Sequence, residues 1–189
     1  MHPRVRSVPS PIRLVTFGGL HASGDAGEGD LHRLLAQHSR AALFIYLVIE
    51  RRVSRESLTA LFWPESDADN ARHALRQSLY QLRKAVAGEW IESGPHELVV
   101  TGDIRCDAYD FAHALDGGDL AEAVRLYQGP FLEGVHLVDL KPWESWGDRR
   151  RARYARAFRK ASRDLIEARR AAGDLGGAIE VAEWWAARD

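Results

Sequence analysis

Between Asn70 and Ala87 the chain reads NARHALRQSLYQLRKAVA, and its apolar positions recur with the 3.6-residue period of an amphipathic helix. At 100° per residue, Ala71, Leu75, Ser78, Leu79, Leu82 and Val86 fall within a band about 100° wide. His73, Gln77, Tyr80 and Lys84 lie opposite, and Arg72, Arg76 and Arg83 share one shoulder. The pattern predicts a packed inner seam and a polar outer face.

Upstream, residues 1–11 contain three prolines and no period, which predicts a disordered arm. Ile12 to Phe17 reads as a strand, Gly18 and Gly19 as a turn, Leu20 to Ser23 as an answering strand, and Gly24 to Asp30 as a flexible loop. From His38 the period changes from two to 3.6. Ala41, Leu43, Phe44, Tyr46, Leu47 and Val48 predict a largely buried helix that ends at the charged Glu50, Arg51 and Arg52. Ser54 stands three residues before Ser57 and just ahead of Leu58, Leu61 and Phe62, the place of an N-cap for a second helix that Pro64 closes. Trp63 is expected to fill the gap between that helix and the next. Asp67 or Asp69 can cap the third helix, the basic one. Trp90 to Glu92, a turn over Ser93 to His96, and Glu97 to Val100 then make a hairpin pattern. Strands, three helices and a hairpin follow the order of a winged helix-turn-helix, with the third helix in the recognition position and the hairpin as wing.

Past Thr101 the pattern is helical to the end, which places a domain boundary near residue 106. GDLAEAVRLY at Gly118 to Tyr127 matches GDLGGAIEVA at Gly173 to Ala182. In each, Gly ends one helix, Asp caps the next, and small Ala residues let the pair pack closely. The offset of 55 residues exceeds the 34 of a regular tetratricopeptide array because QGPFLEGVHLVDLKPWESW intervenes. Asp148 to Ala172 reads as one long helix with Ala155, Phe158, Ala161, Leu165 and Ala168 along its inner side. The eight basic residues of Arg149 to Arg163 read as a solvated face paired with neighbouring acids rather than a second anion site. Trp184 and Trp185 are adjacent, so both cannot point inward, and at least one is expected to be exposed or covered by a partner.

Composition changes this picture only by exclusion. The 26 Lys plus Arg nearly balance 27 Asp plus Glu, so any affinity for a polyanion must reside in a local patch. Helix 70–87 is such a patch, with four positive charges and no carboxylate. Its Arg, Gln, His and Tyr side chains are the kinds that meet phosphates and base edges in a major groove. The lone Cys106 excludes an internal disulfide and a multi-cysteine zinc site, and reads as an inert thiol in a reducing cytoplasm. None of the eight histidines pairs at metal-ligand spacing, and neither HExxH nor GxSxG occurs. The glycines at 24, 27 and 29 match no phosphate-loop spacing. No catalytic constellation, cofactor or metal is therefore expected. The amino terminus lacks the apolar core of a secretory signal, and Ala41 to Ile49 is about half a membrane span, so the expected location is cytoplasmic.

Several longer stretches carry a family resemblance. SRESLTALFWPESDADNARHALRQSLYQLRKAV, CDAYDF, AVRLYQGPFLEGV and a Trp- and Arg-rich helix ending AGDLGGAIEVA, in that order, resemble the antibiotic-regulatory-protein (SARP) class of bacterial transcription activators. Its most specific parts are Leu61-Phe62-Trp63-Pro64 and Leu126-Tyr127-Gln128-Gly129-Pro130-Phe131-Leu132. The resemblance covers about residues 12–189 and implies a winged-helix DNA-binding domain followed by a bacterial transcriptional activator domain, a tetratricopeptide-like module. The family's DNA-facing helix falls on Asn70 to Val86, its wing on Trp90 to Val100, and the start of its activator domain on Asp107 to Phe111.

The fold expected is thus mainly α with small β: an arm over 1–11, a winged helix-turn-helix domain over 12–106 and a tetratricopeptide-like helical domain over 107–189. The function expected is sequence-specific binding of double-stranded DNA by a transcription regulator, with activation implied only by the resemblance. Arg72, His73, Arg76, Gln77, Tyr80, Arg83 and Lys84 are the candidate DNA contacts. RNA polymerase and a second copy of the chain, through the helical domain, are the candidate protein partners, and no membrane is expected. The alternative is a protein-interaction scaffold whose winged helix binds no DNA specifically.

Overall fold

The computed structural model describes residues 12–24, 28–86, 89–102, 104–136 and 138–188, so the arm expected over 1–11 lies outside the described residues. In chain order these residues form β1 (Ile12–Val15), β2 (His21–Ser23), α1 (Glu28–Leu35), α2 (His38–Glu50), β3 (Arg52–Ser54), α3 (Arg55–Phe62), α4 (Ala68–Ala85), β4 (Ile91–Ser93), β5 (Glu97–Val100) and β6 (Ile104–Cys106). Four helices follow: α5 (Asp107–Asp116), α6 (Leu120–Leu126), α7 (Lys141–Ala171) and α8 (Leu175–Ala186). The chain is mainly helical with small sheets, of strand order β2-β1-β6 and β3-β5-β4. It divides into two compact units, Met1–Arg13 with Ala22–Ile104, and Leu14–His21 with Arg105–Asp189.

The first unit is built around α2. Its residues Ala41 to Ile45 and Leu47 to Ile49 are all buried, so the helix is apolar nearly all round and forms the middle of a core. Against it pack Leu58 and Phe62 of α3 and the α4 seam of Ala71, Leu75, Leu79 and Leu82. Tyr46 meets Phe62 edge to face at 5.9 Å. Trp63, expected to fill the gap between α3 and α4, is only half-buried as the residue just after α3, while Phe62 before it is buried. Helix α3 stops at Phe62, and Trp63 takes φ −135° and ψ 53°, neither helical nor extended. The three-stranded sheet is antiparallel throughout, with Val53 opposite Leu98 and Glu92 opposite Val99. Gly102 closes it. A Cβ there would lie 2.5 Å from the Trp90 Cα, an approach only glycine permits.

Two elements of this unit depart from the expected pattern. The loop assigned to Gly24 to Asp30 gives way to α1 at Glu28, because Leu31 and Leu34, three residues apart, are both buried. The charged Arg52 begins strand β3, since Val53 is the only residue of the three that must turn inward.

The second unit has an aromatic centre. Phe17 packs against Phe111, Tyr127, Phe131 and Tyr154 at ring separations of 4.8 to 6.4 Å, and Tyr127 stacks on Phe158 at 4.1 Å. The segment 14–21 thus belongs to this unit, whereas the sequence pattern groups it with residues up to 106. Main-chain bonds fix it there, from Leu132 N to the Thr16 carbonyl (2.7 Å) and from Gly18 N to the Pro130 carbonyl (3.0 Å).

Helices α5 with α6 and α7 with α8 form two antiparallel-style hairpins of matched construction. Gly118 and Gly173 take φ of +75° and +78°, and the following Asp119 and Asp174 accept the amides of Glu122 (3.0 Å) and Gly177 (2.9 Å). The Gly-Asp pair is therefore a helix stop joined to a helix start in both repeats. The long helix begins at Lys141 rather than 148, with Pro142 in its first turn and Trp143 and Trp146 buried. Its buried side runs through Tyr154, Phe158, Ala161 and Ser162; Ala155 and Leu165 are half-buried and Ala168 is exposed. Among its cations, Arg151 pairs with Asp148 and Lys160 with Asp164.

Candidate nucleic-acid interface

Helix α4 is held at its start by Asp67, whose carboxylate accepts the amides of Asp69 (3.1 Å) and Asn70 (2.9 Å) and the Asn70 carboxamide (2.6 Å). The Asn70 amide, then its side chain, keeps the Asp67 carboxyl below the usual carboxylate range. A depressed carboxyl stabilises the fold above its ordinary pKa, and that stability is lost as pH falls through the lowered value; the cap is intact at neutral pH. Of the two aspartates in contention, Asp67 is the cap.

Burial of Leu75, Leu79 and Leu82 contributes on the order of 6 kcal/mol gross, which fixes the rotation of α4 about its axis. All seven candidate contacts, Arg72, His73, Arg76, Gln77, Tyr80, Arg83 and Lys84, consequently face outward and are exposed. Tyr80 is 62% exposed, unusual for so large an apolar ring and unhelpful to folding. Arg72 is paired with Asp69 at 3.0 Å, which compensates part of its charge. Among the described residues, the other six make no side-chain hydrogen bond or ion pair, so their donors are available to an incoming group.

The hairpin of β4 and β5 is tied to the start of α3. Arg55 donates from Nε to the Gly94 carbonyl (3.0 Å) and from its terminal nitrogen to Ser93 Oγ (2.7 Å), while its own amide reaches the His96 carbonyl (2.8 Å). The hairpin holds Glu92, His96 and Glu97 and no lysine or arginine of its own, so it adds no phosphate clamp. The cationic surface lies on α4. The i,i+3 spacing of Asp69 and Arg72 signals their pairing in the sequence, whereas no local pattern places Glu92 and Glu97 of the hairpin beside α3.

In the second unit, Trp184 and Trp185 are both half-buried. Trp184 donates Nε1 to the Val124 carbonyl (3.0 Å), and the Arg188 guanidinium stands 3.2 Å over its ring. The exposed apolar residues of α8 are instead Leu175 (63%) and Ile179 (59%), in one stripe with the exposed Ala182 and Ala186. Cys106 is buried, and burial, aided by the adjacent Asp107 charge, pushes its thiol up to about 12. It is protonated and unreactive at neutral pH. Among the described residues no group of His, Cys, Asp and Glu is placed to hold a metal ion, and no helix is long and apolar enough to cross a membrane. No protein-family model and no curated protein matches the chain.

Proposed function

We propose that this chain is a sequence-specific DNA-binding transcription regulator of the plan its resemblance to SARP activators implies, with a winged helix-turn-helix unit and a tetratricopeptide-like unit. The outer face of α4 carries the reading: three arginines, a lysine and three side chains able to meet base edges, all exposed, on a helix whose rotation a leucine seam fixes. In this reading α4 enters a major groove, with His73, Gln77 and Tyr80 toward base edges and Arg72, Arg76, Arg83 and Lys84 toward phosphates. Activation and RNA polymerase as a target come with the resemblance, and a cytoplasmic location with the sequence pattern of the amino terminus and of Ala41 to Ile49.

Electrophoretic mobility shift with genomic fragments tests it. Retention that depends on sequence and weakens with salt is the expected result; no retention even at low salt leaves the scaffold reading in its place. In the same assay Gln77→Ala is expected to relax preference at one base pair by about 1–3 kcal/mol, because Gln pairs in bidentate fashion with adenine. Lys84→Ala is expected to weaken all fragments alike and lower the salt slope by about 1.

The α8 stripe supports self-association. Val124 in the first repeat corresponds to Ile179 in the second; the former is 4% exposed and the latter 59%. An antiparallel pairing about a two-fold axis sets Leu175 opposite Ala186 of the partner subunit and Ile179 opposite Ala182 of the partner subunit, large against small. Sedimentation equilibrium is expected to show a concentration-dependent dimer that Ile179→Glu abolishes. A strict monomer at high concentration contradicts it.

A further inference from the structure

A second basic feature borders α4 on the side of the α1–α2 junction. There a cleft of about 210 Å³ is lined by Arg33, Gln37 and Arg40 from the junction and by Gln81 and Lys84 from α4, over a floor that includes Leu34. Among the described residues no carboxylate lines it. Three cations and two carboxamides around one small space suit an anion with several acceptor oxygens, which the amides and guanidinium groups can meet at once. The volume is below the roughly 300 Å³ at which drug-sized pockets begin, and ample for one phosphate group and a few waters of about 30 Å³ each.

Local structure holds one of these cations, Arg40, in place. Gln37 is the residue before α2, and its side chain caps no amide; its Oε1 instead accepts a hydrogen bond from Arg40. That bond keeps the Arg40 guanidinium beside the cleft. Helix α2 has no acid in its first turn, so nothing in its own sequence offsets the positive end of its dipole, which adds to the field of the three cations. Lys84 belongs both to this cleft and to the outer face of α4, which makes the two surfaces continuous.

We infer that the cleft at the α1–α2 junction seats a backbone phosphate of the bound DNA, extending the interface from α4 to Arg33, Gln37 and Arg40. The inference rests on the DNA reading above. It also answers a deficit: the hairpin supplies no lysine or arginine, so a strand flanking the groove must be held from elsewhere.

Fluorescence anisotropy of the full chain with a labelled fragment, titrated across salt concentrations, is the test. The double variant Arg33→Ala/Arg40→Ala is expected to lower the slope of log affinity against log salt by about 1, close to the 0.9 of one phosphate contact, equally on preferred and non-preferred sequences. Arg33→Lys/Arg40→Lys is expected to restore most of that slope, which loss of a purely structural contact does not predict. Arg156→Ala on α7, exposed and outside both surfaces, is expected to leave it unchanged. A double alanine variant that is folded by circular dichroism and keeps the wild-type slope overturns the inference while leaving the DNA reading intact. Absence of any binding by the wild-type chain overturns both.

Discussion

Replacing Asp107 with alanine is expected to destabilise the second unit by about 3–5 kcal/mol, among the largest single effects available in this chain. Its carboxylate accepts the Thr16 amide at 2.8 and 2.9 Å, the Thr16 hydroxyl at 2.6 Å, the Phe17 amide at 2.9 Å and the Ala108 amide at 2.8 Å. Thr16 and Phe17 are 0% and 1% exposed, so without the carboxylate their donors stay buried and unpaired. Each such donor costs about 1–3 kcal/mol, and bonds to a charged acceptor are the stronger ones. The loss also loosens the seat of Phe17, whose ring contacts four other aromatics of the core. Asp107→Asn keeps one acceptor oxygen and is expected to fall between alanine and wild type. Urea unfolding measures the difference, and the reactivity of Cys106 gives an independent reading. Its buried thiol, at about 12, becomes an ordinary exposed thiol only when this unit opens, so its labelling rate at pH 8 is expected to rise in step with the lost stability. An alanine variant within 1 kcal/mol of wild type would remove Asp107 from the elements that hold the segment 14–21.

That carboxylate marks the limit of what local pattern conveys. Helix α4, its seam and its exposed face were legible because a 3.6-residue period assigns each side chain to a face without reference to anything distant. The caps Ser54, Asp119 and Asp174 were legible for a similar reason, since a cap and the amide it accepts lie within three residues, whereas the pattern left Asp67 and Asp69 as alternatives. The bonds from Asp107 to Thr16 and Phe17 span 91 and 90 residues, and no feature near either end names the other. The same holds for β3, whose three residues qualify as a strand only because β5 supplies a partner. At the candidate site, exposure of all seven residues followed from the period. The cleft at the α1–α2 junction did not, because Gln37 and Arg40 meet Gln81 and Lys84 through the packing of α1 and α2 on α4. On α8 the pattern drew attention to the two tryptophans, but a hydrogen bond and a cation over the ring pin Trp184 in place, and the face that remains open belongs to smaller residues.

The largest functional effect is expected from removing the cations of α4 together. Arg72, Arg76, Arg83 and Lys84 all point outward, and alanine is the best helix former, so the fourfold alanine variant should keep the helix and its buried seam. Loss of the Arg72–Asp69 pair at the surface costs at most about 1 kcal/mol, which leaves the melting temperature within a few degrees of wild type. DNA affinity responds quite differently. A hydrogen bond to a charged group is worth about 1.5–3 kcal/mol net, and discounting Arg72 for its existing partner leaves three such contacts. At the lower end these sum to about 4.5 kcal/mol, a loss of roughly 10³-fold in affinity, with the salt slope reduced by about 3 to 4. A triple variant of His73, Gln77 and Tyr80 to alanine separates the two faces of the helix: it should keep the salt slope and lose the preference among fragments. Together the two variants assign different work to different sides of one helix. If the fourfold variant stays folded and binds DNA as the wild type does, then four exposed cations on a rigidly seated helix contribute nothing to the contact. The polyanion would have to bind elsewhere, and the outer side of α4 would be a solvated face.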